Sequence, residues 1–371
     1  MSRAALPLVR LVSIRITVDP SWIFIFVLVT WSLAGGYLPQ ELPGASPLVV
    51  WLVAAGTSLA LFGSVIAHEI AHALVARARQ VEVDEIMLFL FGGVARLRGE
   101  PRDPLSEFLI AAAGPLLSLW LGVFLIVIVR GTATWLPPPL FAGLRWLGII
   151  NVGLAIFNLV PGFPLDGGRI LRAIVWWWSG DFERGTVVAG RTGQVIAVLL
   201  VGLGVTMTLA TGALSWLWEA LIGMFLWGAA VRSVRYAQLR DAIEGLFVRD
   251  FLNPRVPAVR ADHEVRVGFM QARAAGADQV AIVDADGRLV GVVKTRTLEE
   301  AARDRPTDLV EAYATDPLHE QRFEIDEPAA EILTRLALLE DEVTLVEEQG
   351  RLVGTIDAAA LAEANPAQEP A

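Results

Sequence analysis

The chain has 371 residues, of which 54% are hydrophobic, and it carries a formal net charge of −10. Its mean hydropathy of +0.54 is too high for an ordinary soluble protein, so the composition indicates a membrane protein, at least in part. The absence of cysteine excludes disulfide bonds and thiolate metal sites.

The charges divide the chain into two unlike parts. Residues 1–244 carry 17 arginines and 15 acidic residues, a balance of +2, whereas residues 245–371 carry 13 basic and 25 acidic residues, a balance of −12. The second part alone has the composition of a soluble domain. We therefore expect a membrane domain over residues 1–240, followed by a soluble tail.

Six apolar runs in the first part have lengths near the roughly 20 residues that a transmembrane helix needs. The predicted helices cover residues 21–38, 48–76, 105–129, 142–160, 193–212 and 214–232. Six spans place both termini on one side of the membrane. Most arginines between the spans lie on that side, so the positive-inside rule makes it cytoplasmic. The prediction is a multi-pass integral protein of a bacterial or archaeal cell membrane.

The second run ends in "SVIAHEIAHAL", residues 64–74, which holds two of the four histidines in the chain. In the H-E-x-x-H pattern of residues 68–72, His68 and His72 project from one helix face, so that both imidazoles can bind one zinc ion. Glu69 then lies beside the metal as general base and acid. Ionisable groups at membrane depth are costly, which favours a functional site over a helix end that carries polar groups to the surface.

A catalytic zinc ion normally has three protein ligands, and the candidate for the third is Asp166. It belongs to "NLVPGFPLDGGRI", residues 158–170, where two prolines and three glycines interrupt the fourth apolar run. Broken helices inside membrane proteins commonly line polar sites. A cytoplasmic loop with an Asp-Gly turn explains the same residues, so the local sequence leaves both interpretations open.

Residues 82–100, "EVDEIMLFLFGGVARLRGE", connect the second and third runs. They contain two short strand-like runs, which we expect Gly92 and Gly93 to separate. One interpretation is an amphipathic loop. The other is a β-hairpin that dips into the membrane, which requires protein or water around its backbone.

The tail contains an internal repeat. Residues 278–301 match residues 341–364 at a constant offset of 63 residues. Each copy is predicted to form a strand, an Asp-Gly or Gln-Gly turn, a second strand and a helix. A repeat of about 60 residues is typical of a tandem module, and we expect the two modules to cover residues 241–303 and 304–371.

The membrane motifs together resemble the site-2 protease family of intramembrane zinc metalloproteases, peptidase family M50. The resemblance rests on "HEIAH", on "FGGVA" in the expected hairpin, on "AAAGPLLSL" at residues 111–119 and on "NLVPGFPLDGG". It implies a polytopic α-helical fold of about six transmembrane helices with a re-entrant β-hairpin. Many family members have asparagine where this chain has Ser118, which leaves the polar role of that position open.

The same resemblance implies the roles of five residues. His68, His72 and Asp166 would bind one Zn²⁺ per chain, Glu69 would act as general base and acid, and Asn158 would help to hold the substrate carbonyl or oxyanion.

The implied activity is hydrolysis of a peptide bond in or near a transmembrane segment of another membrane protein, as in regulated intramembrane proteolysis. A helical substrate must unwind first, and we hypothesise that the hairpin offers a strand edge for the unwound segment. Water would enter through a polar channel that opens to the cytoplasm near residues 166–172. The alternative is a non-catalytic zinc-binding scaffold or a transporter regulated by its tail, neither of which needs Glu69.

The tail resembles a pair of CBS modules, which often bind adenine nucleotides through a Thr or Ser after the second strand and an Asp three residues later. Here those places hold Lys294 and Thr297 in one copy, and Asp357 and Ala360 in the other. Both copies depart from the pattern. Nucleotide binding, homodimerisation and substrate gating therefore remain open as roles for the tail, and no nucleic-acid partner or other cofactor is expected.

Overall fold

The structure is a computed structural model, and it divides the chain into two compact units, Met1–Val234 and Arg235–Ala371. The described residues are 6–11, 14–89, 92–98, 101–132, 134–254, 256–317, 321–336, 339 and 344–356.

Six helices in the described residues are long and apolar enough to cross a membrane, so the protein is a multi-pass integral membrane protein. The first span combines α1 (Ser21–Ser32), a π-helical turn (Leu33–Tyr37) and α2 (Leu38–Glu41). The second to fourth spans are α3 (Pro47–Ala78), α4 (Pro104–Gly131) and α5 (Pro138–Asn158). The last two are α7 (Phe182–Thr211) and α8 (Leu217–Ala242), the latter preceded by one short 3₁₀ turn.

The limits of the predicted spans differ from those in the structure, and most of all at α7 and at α8, which ends at Ala242, ten residues after the predicted end. α5 ends at Asn158, two residues before the predicted end of the fourth run. α7 begins at Phe182, eleven residues before the predicted start, because the Asp181 side chain caps it by accepting a hydrogen bond from the backbone N–H of Arg184 at 2.8 Å. Such a cap stabilises a helix by about 1 kcal/mol, and it allows the helix to begin among charged residues that a hydropathy window excludes.

An additional short helix, α6 (Asp166–Ser179), follows the proline-rich connection after α5. The sequence predicted only a break or a loop here. The connection folds back onto the start of α6: a Cβ atom on Gly167 would lie 2.3 Å from the carbonyl oxygen of Val160, and one on Gly168 would lie 2.5 Å from the carbonyl carbon of Gly162. Only glycine permits this approach, which places Asp166 against the preceding connection.

A four-stranded sheet belongs to the same unit, with the order β1-β2-β3-β4. The strands are β1 (Leu6–Leu11), β2 (Ile14–Val18), β3 (Glu82–Phe89) and β4 (Gly92–Arg98). β2 runs parallel to β3, and the other two pairs are antiparallel. Strands β1 and β2 precede the first span, where no strand was predicted. β4 is an edge strand of this sheet among the described residues.

The β3–β4 pair is the hairpin that the sequence indicated, with one correction. Gly92 and Gly93 do not separate the strands but begin β4, where they pair with Phe89 and Leu88. Since glycine has no side chain, the start of β4 can approach the helix beneath it closely. Residues 90 and 91 lie outside the described part of the chain.

The tail unit contains two copies of one strand-helix-strand-strand arrangement. The first comprises β6 (Ala258–Arg260), α9 (Val265–Ala275), β7 (Gln279–Val283) and β8 (Leu289–Lys294), followed by α10 (Thr295–Asp304). The second comprises β9 (Arg322–Glu324), α11 (Ala329–Leu336), β10 (Leu345–Glu348) and β11 (Arg351–Ile356). A short strand, β5 (Leu252–Asn253), pairs with β11, so the sheet orders are β6-β7-β8 and β5-β11-β10-β9.

The predicted turns of the repeat lie where the sequence placed them. Gly287 adopts a φ of +78° between β7 and β8, and Gln349 and Gly350 adopt +52° and +78° between β10 and β11. These left-handed conformations favour glycine. The predicted helix of the second copy, with Asp357 and Ala360, lies outside the described residues.

Candidate metal centre

The two histidines of the H-E-x-x-H pattern lie on one face of α3, and each is only 4% exposed. The imidazoles are held by α4. His68 Nδ1 is 2.9 Å from the hydroxyl of Ser118, and His72 Nδ1 donates to the carbonyl oxygen of Ile110 at 2.7 Å. A carbonyl can only accept, so Nδ1 of His72 carries the proton and its Nε2 keeps a free lone pair.

Asp166, the first residue of α6, completes the group. Its Oδ2 lies 3.2 Å from His68 Nε2 and 3.3 Å from His72 Nε2, and the two Nε2 atoms are 3.1 Å apart. The structure thus brings together three predicted ligands from two segments that are 94 residues apart in the sequence.

The three residues fit a zinc ion. One ligand atom from each lies within 4.8 Å of the other two, and two imidazole nitrogens with a carboxylate oxygen are a common catalytic zinc set. Gly114 of α4 preserves the space beside them, because a Cβ atom there would lie 2.3 Å from His72 Nε2 and 2.5 Å from His68 Nε2. Any larger residue at this position would fill the place of the metal.

Glu69 is half-buried and lies against the start of β4. A Cβ atom on Gly93 would be 2.6 Å from Cγ of Glu69 and 3.3 Å from its Oε1. The hairpin therefore packs on the residue that the sequence predicts to be the general base.

Asn158 is the last residue of α5 and is half-buried, eight residues before Asp166. Within the described part of the chain, its side chain makes no hydrogen bond to His68, His72 or Asp166. The structure places it at the start of the connection that leads to the third ligand, and its predicted role stays a prediction.

The register of α4 is set at its first turn. Asp103 caps the helix: its Oδ1 accepts from the backbone N–H of Ser106 at 2.9 Å and its Oδ2 from the Ser106 hydroxyl at 2.5 Å. These bonds lower the pKa of Asp103, so the cap stays ionised at neutral pH. The cap and Pro104 at the first helical position explain why α4 begins here.

A buried ionic cluster, which was not predicted from the sequence, connects α4 with α6 near the metal centre. Glu107 of α4 has no exposed surface; its Oε1 accepts from Arg169 Nε at 3.0 Å and its Oε2 from Arg169 Nη2 at 3.3 Å. Arg172 Nη2 donates to the same carboxylate at 2.5 Å. The sequence contained one signal for this cluster. Glu107 is a single acidic residue in an otherwise apolar run, and it lies seven residues, or two helical turns, before Gly114.

The chain is similar to known proteins over most of its length. The sequence model of peptidase family M50 matches residues 56–136 and 138–201, which include every predicted site residue. A candidate zinc metalloprotease of Synechocystis is 36% identical over 360 residues, which cover 93% of this chain and 91% of that protein.

Two solved structures are also similar to parts of the chain. The site-2 protease from Methanocaldococcus jannaschii is 27% identical and covers 62% of this chain and 95% of its own, with a TM-score of 0.43. The CBS domain of a bacterial CNNM/CorC family Mg²⁺ transporter was solved in complex with ATP. It is 15% identical, and the match covers 36% of this chain and 96% of that domain, with a TM-score of 0.30. On the strength of the family match and the 36% identity over nearly its whole length, this chain belongs to peptidase family M50.

Proposed function

We propose that this protein is a zinc-dependent intramembrane endopeptidase that hydrolyses a peptide bond in or near a transmembrane segment of another membrane protein. The observation that carries the proposal is the convergence of His68, His72 and Asp166 on helices of a multi-pass membrane unit. The alternatives, a zinc-binding scaffold or a transporter, are not favoured, because a relative that covers nearly the whole chain is named as a zinc metalloprotease.

One zinc ion per chain would be held by Nε2 of His68, Nε2 of His72 and a carboxylate oxygen of Asp166. Ser118 and the Ile110 carbonyl orient the two imidazoles from behind, as the outer partners of metal-bound histidines commonly do. When bound, zinc supplies Lewis acidity toward a carbonyl group and lowers the pKa of water.

Glu69 would accept the proton of the attacking water and later donate it to the leaving amine. Its place on α3, directly after His68, supports this role. Asn158 would donate an amide N–H to the substrate carbonyl oxygen as negative charge develops there. Its position at the end of α5, in the segment that continues to Asp166, supports that assignment.

The edge of β4 would bind the unwound substrate segment. Edge strands have unpaired backbone groups that an extended peptide can complete, which exposes the amides that a helix hides. The close contact between Gly93 and Glu69 means that a peptide paired with β4 would pass close to the general base.

Proline substitutions in β4 test this binding mode. Val94 and Ala95 pair with Met87 and Ile86, and successive residues of a strand direct their N–H groups to opposite edges. We expect proline at the position whose N–H faces the free edge to abolish cleavage without loss of zinc. Full cleavage by both Val94→Pro and Ala95→Pro would contradict the hypothesis.

For orientation, we propose cytoplasmic termini in a bacterial or archaeal cell membrane, on the basis of the arginine distribution.

For the tail, we propose a regulatory CBS pair, supported by its two strand-helix-strand-strand copies. Titration of the full chain with ATP, followed by thermal unfolding, tests nucleotide control. An unchanged unfolding temperature together with unchanged cleavage would leave dimerisation or substrate gating as its role.

The central experiment compares the purified protein with three variants for zinc content and for cleavage of a transmembrane substrate. We expect about one zinc per chain in the unchanged protein and in Glu69→Gln, and loss of zinc in His72→Ala and Asp166→Ala. Cleavage should be lost in all three variants. A folded, unchanged protein that does not bind zinc would contradict the proposal, as would a Glu69→Gln variant that still cleaves.

A further inference from the structure

One buried face of α4 carries the contacts that surround the metal centre. Its residues Glu107, Ile110, Gly114 and Ser118 are spaced by three or four positions, so they lie on one side of the helix. Three of them serve the histidines directly: the Ile110 carbonyl and the Ser118 hydroxyl bind the imidazoles, and Gly114 leaves the space between them. Glu107 belongs to the same face, but among the described residues its polar partners are Arg169 and Arg172, and the proposed mechanism gives it no role.

Glu107 binds two arginines of α6, and these differ in their other contacts. The Arg172 guanidinium also lies over the ring of Phe182 at 4.5 Å and near that of Phe163 at 5.2 Å, so it has partners besides the carboxylate. Arg169 forms the two-point interaction with Glu107 through its Nε and Nη2. This paired geometry directs the Arg169 guanidinium toward α4.

Arg169 lies three residues after Asp166 on α6, and residues at this spacing are neighbours on a helix surface. Opposite charges at i and i+3 attract each other. Asp166 and Glu69 both act electrostatically on Arg169, and their attraction adds to the stronger one of Glu107. If Glu107 were neutral, the Arg169 guanidinium would still be attracted by Asp166, its neighbour at i−3 on α6, and by Glu69.

We propose that Glu107 is a positioning residue for the metal centre: it captures Arg169 and so keeps the Asp166 carboxylate available as a metal ligand. The inference rests on the proposed zinc site. It predicts that the loss of zinc affinity on removing the Glu107 charge is caused by Arg169, because a half-buried guanidinium without its carboxylate pairs with Asp166 instead.

The test measures zinc affinity of the full-length protein in detergent by competition with a chromophoric chelator, after zinc has been removed. Glu107→Gln retains the shape of the side chain but removes its charge. We expect it to weaken zinc binding by about tenfold or more, the usual scale for residues that orient metal ligands. The double variant Glu107→Gln/Arg169→Gln should bind zinc within about threefold of the unchanged protein, because the competitor for Asp166 is gone.

Two controls separate this mechanism from a general effect of buried charge. Glu107→Gln/Arg172→Gln restores the same charge balance but leaves Arg169 free, so its zinc affinity should remain as weak as that of Glu107→Gln. Glu41→Gln breaks another interhelical Glu–Arg pair, with Arg145 at 3.0 Å, and should leave zinc affinity unchanged. Arg145 is 13 residues before Asn158, about 20 Å along α5.

Zinc affinity of Glu107→Gln within about threefold of the unchanged protein would overturn the proposal, and so would a double variant with Arg169→Gln that binds no better than the single variant. If Glu107→Gln does not fold, Glu107→Met with and without Arg169→Met replaces it, because methionine is similar in length but uncharged, and the same two outcomes apply. Failure of the unchanged protein to bind zinc refutes the proposed function itself, whereas normal zinc binding with no difference among variants refutes only the role of Glu107.

Discussion

Gly93 of β4 lies directly against Glu69 of α3, so closely that a Cβ atom on Gly93 would be 2.6 Å from the Cγ of Glu69. Gly114 of α4 stands in a similar relation to the two histidines, since its Cβ atom would lie within 2.5 Å of both Nε2 atoms. One glycine therefore adjoins the general base and the other adjoins the metal ligands. Substitution of each should affect a different property of the site.

Gly93→Ala should reduce cleavage and retain zinc. The new methyl group displaces the Glu69 side chain, and a positioned general base contributes about 10²–10⁴ in rate, so we expect a loss of about tenfold or more in kcat/KM. Zinc content and a cleavage assay on the same preparation check this. Gly63→Ala on α3 is the control, because a Cβ atom there meets nothing within 4 Å. Normal cleavage by Gly93→Ala would show that the contact does not constrain Glu69.

Gly114→Ala should reduce the zinc content from about one ion per chain to nearly none, because the methyl group occupies the space beside the two Nε2 atoms. Metal analysis after dialysis measures the effect. Gly131→Ala, also on α4 but with nothing within 4 Å of its Cβ, should bind zinc normally. If folded Gly114→Ala still contained one zinc ion per chain, the zinc site could not be the one formed by His68, His72 and Asp166.

Ser118→Ala should weaken zinc binding by about tenfold, because the His68 imidazole loses the partner that orients it. Competition with a chelator gives the affinity. The matched control is Ser233→Ala, whose hydroxyl donates only to the carbonyl of Ala229 in its own helix. Equal zinc affinities for both variants would mean that the Ser118 hydroxyl does not orient His68.

Single cysteines should report the orientation of the connection before Asp166. The chain has no cysteine, so each introduced thiol is the only target. Pro161→Cys, at an exposed position, should react with a membrane-impermeant thiol reagent from the cytoplasmic side. Ala213→Cys, between α7 and α8, should react from the opposite side only. Labelling of both positions from one side would contradict the proposed topology.

Local sequence patterns were sufficient to predict much of the fold and two of the three candidate metal ligands. Hydropathy depends on residues within one helix, so it predicted six spans, although it missed the start of α7, where the Asp181 cap extends the helix into charged sequence. The spacing of His68 and His72 is likewise a property of one helix. The turns at Gly287 and Gly350 followed from the residue type that a left-handed conformation requires.

The sequence by itself determined the membrane class, the pair of histidines with Glu69 between them, and the repeated tail, because each depends on neighbours along the chain. Only the tertiary structure decided that Asp166 meets those histidines, that the Ser118 hydroxyl reaches His68, and that Glu107 binds Arg169 across 62 residues. These contacts depend on which face of α4 packs against α3 and α6. No periodicity within a single helix encodes that choice, since it follows from the close packing of several helices at once.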